Sequence, residues 1–327
     1  MPSFDMGNLN IKQSRRKFVK NSLIAGAFLP FISTELYSGI INYAGVNEPL
    51  KVSVFSKHLQ FLNYKDMADA AAEIGFAGVD LTVRPKGHVL PERVEIDLPK
   101  AVEAIHQAGL ASMMITTAVQ DANDPTDRRL LETASKLGIK YYRMNWLKYP
   151  ETKSIPEAID QFKQVLTELS LLNKKLGITG CYQNHSGNLA GASIWELWEI
   201  LKNTDSGNTG VQYDIRHAVV EGGLSWKNGL NLIHPQIKTL AVKDCVWGKK
   251  NGKWIVEDVP LGEGMVDFKA YFKLLKQFKI QVPVSLHYEY PLGGAEHGAA
   301  SISMDKQIVF AHMKRDLKKL QQLWDEA

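Results

Sequence analysis

Cysteine is scarce in this sequence, with only Cys181 and Cys245 among 327 residues. Both fall inside predicted buried strands that are not neighbours, so we do not expect a disulfide bond between them. We expect two buried free thiols instead, which behave as small hydrophobic side chains.

A continuous basic surface and a glycine-rich phosphate loop are also missing. The net charge is only +4, and much of the excess lies near the two ends of the chain. No basic stripe with interleaved aromatic residues is present, which argues against a nucleic-acid partner. No glycine-rich loop follows the first predicted strand, which argues against a doubly wound nucleotide-binding fold and against a nucleotide cofactor.

The apolar run near the start of the chain, residues 23–32, is too short for a full membrane span. It follows Ser14-Arg15-Arg16-Lys17-Phe18-Val19-Lys20, which resembles a twin-arginine export signal except at Val19, where leucine is commoner. We therefore expect residues 1–45 to be a leader and the protein to be periplasmic. An ordinary basic amphipathic leader is the alternative. A membrane would be contacted only through the export signal or an uncleaved leader.

After the leader, predicted strands and helices alternate regularly. Short apolar runs predict parallel strands, and helical stripes that end at glycines such as Gly75 and Gly177 predict the helices between them. Eight such units in roughly 280 residues match a closed (β/α)8 TIM barrel, so residues 50–327 are predicted to form a single domain. One insertion, residues 249–266, contains a predicted hairpin turn at Asn251-Gly252 and is expected to form a flap over the barrel mouth.

Four apolar runs end in side chains that can bind metal or move protons. In a parallel barrel the carboxyl ends of the strands meet at one face, where active sites are built. The sequence therefore predicts an enzyme site formed by four of its runs, which are Gly180–Gly187, Val211–Ala218, Leu240–Trp247 and Val284–Tyr290.

Two further motifs carry a family resemblance. Lys243-Asp244, followed by Gly252-Lys253-Trp254 and Val259-Pro260-Leu261-Gly262-Glu263-Gly264, resembles the seventh strand and following loop of the sugar phosphate isomerase/epimerase superfamily. Gly75-Phe76-Ala77-Gly78-Val79-Asp80 resembles the entry to its second strand. These are xylose isomerase-like barrels, and the resemblance covers nearly everything after the leader.

The resemblance implies one divalent ion held by Glu, Asp, His and Glu from four successive strands. In this sequence those positions hold Gln183, Asp214, Ala241 and His287, so one ligand of four is retained. The usual site must therefore be rebuilt or absent. A rebuilt site would draw on Gln183, His185, Asp214, His287 and Glu289, a nitrogen and oxygen set suited to Mn, Zn, Mg or Co.

The residues that we expect to do chemistry are Glu289, His287 and Lys243. Glu289 or His287 would be the base, and Lys243 would stabilise the oxygen of an enolate. The alternatives are an ion pair of Glu289 with Lys243 or Arg143, and an ion pair of Lys243 with Asp214. The residues expected to bind substrate are Arg84, His88, Arg143, His185 and Trp247.

The leading hypothesis is an isomerase, epimerase or lyase that removes a proton next to a carbonyl, or latent carbonyl, of a carbohydrate. A periplasmic location would make a sugar phosphate a poor substrate, and a free, oxidised or glycosidic sugar such as a 3-keto-glycoside fits better. The rival is a non-catalytic periplasmic sugar-binding protein on a degenerate isomerase barrel. Phosphodiester hydrolysis is disfavoured because the His and Glu ligands for three metals are missing. An oligomer is compatible with the sequence.

Overall fold

The structure is a computed structural model that describes residues 49–327. The predicted leader and its twin-arginine motif lie outside the described residues. Within residues 49–327, no helix is both long enough and apolar enough to cross a membrane.

Ten strands are found in this part of the chain. They are β1 (Val52–Phe55), β2 (Gly78–Val83), β3 (Ala111–Thr117), β4 (Tyr141–Arg143), β5 (Thr179–Gln183), β6 (Thr209–Asp214), β7 (Ile237–Val242), β8 (Asp244–Lys250), β9 (Lys253–Val259) and β10 (Val284–Leu286).

Nine α-helices alternate with these strands over the same residues. They are α1 (Tyr64–Ile74), α2 (Val94–Gln107), α3 (Pro125–Lys136), α4 (Ile155–Leu176), α5 (Ile194–Leu201), α6 (Ile215–Gly222), α7 (Trp226–Ile233), α8 (Phe268–Gln277) and α9 (Lys306–Asp325).

Eight of the strands form a closed parallel barrel in the order β1, β10, β7, β6, β5, β4, β3, β2. The barrel closes through β1, where Val52 lies opposite Val284 of β10 and Ser53 lies opposite Gly78 of β2. Most neighbouring helices pack against one another around it, and α1 meets α9. The (β/α)8 barrel predicted from the sequence is confirmed.

Local signals in the sequence set the helix ends. Gly75 and Gly177 adopt the left-handed backbone that ends α1 and α4, with φ of 107° and 66°. At the start of α4, Ser154 and Glu157 form a capping box that satisfies free backbone N–H groups. These end signals fix the length of each helix, after which the chain returns to the barrel.

The strand predicted over residues 240–247 is in fact two strands. The barrel strand β7 ends at Val242, and Asp244 begins the antiparallel hairpin β8–β9. Its turn is at Asn251 and Gly252, with φ of 50° and 78°, as the sequence predicted. Cys245 therefore lies on the hairpin and not in the barrel, although Cys181 and Cys245 are both buried and free.

Asp244 explains why the chain leaves the barrel at this point. Its carboxylate accepts hydrogen bonds from the backbone N–H groups of Cys245, Gly262 and Gly264, at 2.8 to 2.9 Å. One side chain thus holds both the start of the hairpin and the loop that follows it.

The run over residues 211–218 also divides, into β6 and the unpredicted helix α6. Asp214 ends the strand and caps the helix, because its Oδ1 accepts from the backbone N–H of His217 at 3.2 Å. Ile215 and Ala218 are buried in the helix, so the sequence stays apolar across the boundary. The apolar run alone does not reveal the change from strand to helix.

Candidate active site

The carboxyl ends of the barrel strands enclose a cavity of about 140 Å³. The side chains that line it come from strand ends or from the residues just after them. They are Phe55, Lys57, Arg84, Arg143, Trp146, Gln183, His185, Lys243, His287 and Glu289. The structure therefore brings together most of the residues that the sequence predicted for the site.

A chain of polar contacts crosses the cavity floor. Nη1 of Arg143 donates to Oε1 of Gln183 at 2.9 Å, and Nε2 of Gln183 donates to Oδ2 of Asp214 at 2.8 Å. Nζ of Lys243 lies 3.4 Å from the same Asp214 oxygen. Asp214 does not line the cavity but holds in place the two side chains that do.

Glu289 is the counterion of two lysines. Nζ of Lys57 donates to its two oxygens at 2.9 and 3.0 Å, and Nζ of Lys243 lies 3.9 Å from Oε1. Burial raises the pKa of Glu289, but the charges of Lys243 and Lys57 outweigh burial and hold the pKa well below its usual range. Glu289 is therefore ionised at physiological pH.

His287 presents a neutral imidazole to the cavity. Its ring stacks on Phe55 at 4.3 Å, and neither ring nitrogen has a hydrogen-bond partner among residues 49–327. Burial, followed by the charge of Lys243, lowers the pKa of His287 well below its usual value. An uncharged imidazole with a free nitrogen can accept a proton.

His185 lines the same cavity, with its ring between those of Trp146 and His217. Its ring centroid is 4.6 Å from that of Trp146 and 4.0 Å from that of His217. Nδ1 lies 2.9 Å from the carbonyl oxygen of Ser186, which can only accept, so Nδ1 carries the proton and Nε2 is left as an acceptor. Burial lowers the pKa of His185 to about 4.

Two residues predicted to bind substrate are not brought to this cavity. Trp247 lies on the hairpin and is 45% exposed. His88 folds back under its own loop, where Nδ1 lies 3.1 Å from the hydroxyl of Ser56. Trp247 lies outside the cavity because β7 ends at Val242, and a residue on the hairpin no longer follows the register of the barrel.

Lys57 and Phe55 are site residues that the sequence analysis missed. Phe55 ends β1, and Lys57 lies two residues further on, so the rule that site residues follow strand ends applies to both. The first strand ends in Phe55, which can neither bind a metal ion nor move a proton, so the pattern shared by the other four runs does not include it.

The residues present do not fit a divalent cation. Among residues 49–327, no three or more His, Cys, Asp or Glu side chains are arranged to hold a metal ion. Nζ of Lys243 lies within 4 Å of both Asp214 and Glu289, so a divalent ion between these carboxylates would be repelled by the ammonium group. Ala241 offers no donor atom. The ligand set predicted from the sequence is thus not assembled.

Comparison with known families identifies the class of protein. The family model described as xylose isomerase-like TIM barrel matches residues 68–305. The match covers more than half of the chain, so the protein belongs to the xylose isomerase-like TIM barrel family. No curated protein matches the chain.

Solved structures with the same fold include two sugar epimerases and a probable dehydratase. The 3-keto-D-glucoside 4-epimerase of E. coli is 13% identical, with a TM-score of 0.61 over 84% of this chain and 99% of that one. The D-allulose 3-epimerase of Methylomonas sp. is 16% identical, with a TM-score of 0.61 over 84% and 98%. The probable 3-DHS dehydratase of Bacillus anthracis is 16% identical, with a TM-score of 0.58 over 81% and 98%. At these identities the likeness shows the fold.

Proposed function

We propose that this protein is a carbohydrate-active isomerase, epimerase or lyase that removes a proton next to a carbonyl group. The observation that carries the proposal is that the ammonium of Lys243 and the neutral imidazole of His287 line one cavity. An acceptor for a carbon-bound proton and a cation for the developing oxyanion are the two groups that this chemistry needs. Similarity in fold to two sugar epimerases and a probable dehydratase agrees with it.

In the proposed reaction, Lys243 donates a hydrogen bond to the carbonyl oxygen of the substrate. His287 takes the proton from the neighbouring carbon, and the electrons of that C–H bond move to the oxygen to give an enolate. In an epimerisation, a water molecule protonates the other face of the same carbon, and His287 passes its proton to the solvent. In an isomerisation, the hydroxyl proton on that carbon moves to the enolate oxygen, and His287 returns its proton to the former carbonyl carbon. In an elimination, the leaving group departs from the next carbon and takes the proton held by His287, so that it leaves as an alcohol.

Charge balance favours His287 over Glu289 as the base. When His287 gains a proton, the enolate oxygen gains a negative charge in the same cavity, so the two new charges compensate. Protonation of Glu289 would instead remove the counterion of Lys57 and Lys243. Glu289 is thus assigned to hold the two ammonium groups in place.

The rival function is sugar binding without catalysis. The absence of a metal ligand at Ala241 favours this rival function, because a barrel without its usual metal ion can keep its substrate pocket. The two functions differ in one measurable property, the exchange of a carbon-bound substrate proton with solvent.

The test is deuterium incorporation from heavy water, followed by NMR on a panel of keto-sugars and 3-keto-glycosides. His287→Asn is expected to bind sugar within about tenfold of the parent protein but to slow exchange by about 10²-fold or more. His234→Asn is the matched control, because His234 precedes β7 at the other end of the barrel.

The outcomes separate the assignments. Slowing by Glu289→Gln but not by His287→Asn would reverse the roles of these two residues. A parent protein that binds a panel sugar tightly, yet exchanges no proton and forms no product, would make the rival the better account for that sugar class.

We also propose export to the periplasm by the twin-arginine pathway. The support is the sequence Arg15-Arg16-Lys17-Phe18, since the paired arginines are what the export receptor reads. The double variant Arg15→Lys, Arg16→Lys is expected to stay in the cytoplasm on cell fractionation. Unchanged periplasmic recovery of that variant would contradict the proposal.

A further inference from the structure

Two arginines face the cavity without a carboxylate partner among residues 49–327. Arg143 is 5% exposed, and its buried Nε has no hydrogen-bond partner there, while Nη1 donates to Gln183. Arg84 is half-buried and forms no ion pair in the same part of the chain. A guanidinium that is buried without a counterion costs free energy. We therefore expect an anion from outside the protein to bind beside it.

Aromatic rings position these guanidinium groups but do not neutralise them. Cζ of Arg143 lies 4.5 Å from the ring centroid of Trp146, and Cζ of Arg84 lies 5.6 Å from that of Phe55. Burial, and then the charge of Arg84, lowers the pKa of Arg143 to about 9. Both arginines remain charged at neutral pH and repel each other until an anion is bound.

The charges around the cavity do not balance. Lys57 pairs with Glu289, and Lys243 pairs with Asp214. The remaining buried acid, Asp80, is hydrogen-bonded by hydroxyl groups and, although it attracts both arginines, forms no ion pair with either of them. At least one positive charge is therefore left for a ligand to neutralise.

A second cavity shows where such a ligand would extend. It measures about 380 Å³, shares Lys57, Arg84 and Arg143 with the inner cavity, and adds Lys86. The two arginines thus lie between the inner cavity and the outer one. A ligand that extends from the inner cavity into the outer one would therefore pass directly beside both arginines.

We propose that Arg84 and Arg143 form a subsite for the carboxylate of a sugar acid, so that the substrates are uronates or related anionic sugars. The inference rests on the proposed function and names its substrate class. The planar fork of a guanidinium matches a carboxylate in shape. A carboxylate also supplies one negative charge, which balances the single excess positive charge that is left when Asp80 is ionised, whereas a phosphate monoester carries about −1.5 to −2.

Phe55 sets the orientation of the bound sugar acid. Its ring stacks on His287 and also lies beneath the guanidinium groups of Arg84 and Arg143. The carboxylate end would lie at the arginines, and the carbonyl end would lie between His287 and Lys243.

The test measures binding of matched ligands by isothermal titration calorimetry with the purified full chain. Glucuronate is compared with glucose, galacturonate with galactose, and glucose 6-phosphate is the phosphate arm. We expect each uronate to bind about tenfold or more tightly than its neutral partner, the usual scale for one charge-assisted pair. Equal affinities, or no binding of either uronate, would overturn the subsite. Preference for glucose 6-phosphate over both uronates would overturn its assignment to a carboxylate.

Two variants test the assignment to these arginines. Arg84→Gln is expected to remove the preference for uronates, and Arg143→Gln is expected to do the same if thermal unfolding shows that it folds. Arg129→Gln is the matched control, because it removes the same charge from the exposed surface of α3. A preference that survives Arg84→Gln in full would contradict the proposal.

This experiment also separates the subsite from the proposed chemistry. Uronate binding that depends on Arg84, without any proton exchange, would support the subsite and count against the enzyme. Exchange with neutral sugars alone would support the enzyme and overturn the subsite.

Discussion

Lys243 and Asp214 form an ion pair inside the barrel, with Nζ 3.4 Å from Oδ2 and side chains only 6% and 0% exposed. The pair links the group proposed to stabilise the oxyanion to the cap of α6, because Asp214 also accepts from the backbone N–H of His217. The strand end, the helix start and the candidate electrophile are therefore held by one carboxylate.

Breaking this pair is expected to destabilise the protein strongly. Lys243→Met leaves Asp214 buried without its ammonium partner, and we expect a loss of about 3–5 kcal/mol in the free energy of unfolding. The double variant Lys243→Met, Asp214→Asn should lose less than the sum of its single variants, with a coupling of about 1–3 kcal/mol. Urea unfolding of the four proteins measures this.

The matched control is the half-exposed pair of Lys163 and Glu199, whose atoms are 2.8 Å apart. Lys163→Met with Glu199→Gln should show a coupling below about 1 kcal/mol, because solvent screens an exposed pair. If the free-energy losses of Lys243→Met and Asp214→Asn simply add in the double variant, the buried pair does not contribute to stability as described.

Stability is expected to fall as the solution becomes acidic. Burial lowers the pKa of His88 and His185 to about 4, and lowers the pKa of His58, His217 and His287 well below the usual value. Unfolded histidines take up protons near pH 6.5, so between that pH and the folded pKa the unfolded state binds more protons. The stability is fully present above about pH 6.5 and is lost as the pH falls toward about 4.

Urea unfolding at a series of pH values measures this loss. Each such histidine contributes up to about 1.4 kcal/mol per pH unit. His88→Gln should flatten the profile by up to that amount. A profile that is flat from about pH 7 to about pH 4.5 would contradict the prediction.

Periodic patterns in the sequence predict the barrel well. The predicted ends of α1 and α4 at Gly75 and Gly177 agree with the structure, because an apolar stripe and an end signal together specify where a helix stops. The boundary errors at Val242 and Asp214 have one cause. A buried strand that continues directly into another buried element leaves no break in hydrophobicity.

The site is harder to predict, because its ion pairs join distant parts of the chain. Lys57 and Glu289 are 232 residues apart, and only closure of the barrel through β1 and β10 brings them together. The sequence alone does not show that Lys57 lies beside Glu289, so Glu289 can be interpreted as a metal ligand or a base. The same closure makes Glu289, which the sequence predicts as a base, the counterion of Lys57.

Gly264 offers a test of how the hairpin supports the site. A Cβ added there would overlap Oδ1 of Asp244 and lie 2.6 Å from the backbone oxygen of Cys245. Gly264→Ala must therefore displace the carboxylate that holds the backbone N–H groups of Gly262 and Gly264. We expect a loss of about 1–3 kcal/mol in the free energy of unfolding. Proton exchange should also slow, since Lys243 precedes Asp244 directly.

Gly222→Ala is the matched control for this substitution. Gly222 ends α6 with φ of −91°, and its added Cβ would meet Trp226 Cβ only at 3.5 Å. Alanine there should leave stability unchanged or raise it by up to about 1 kcal/mol, as expected for glycine to alanine in a helix. If the Gly264→Ala variant is as stable and as active as the Gly222→Ala variant, the hydrogen bonds of Asp244 do not anchor the loop beside Lys243.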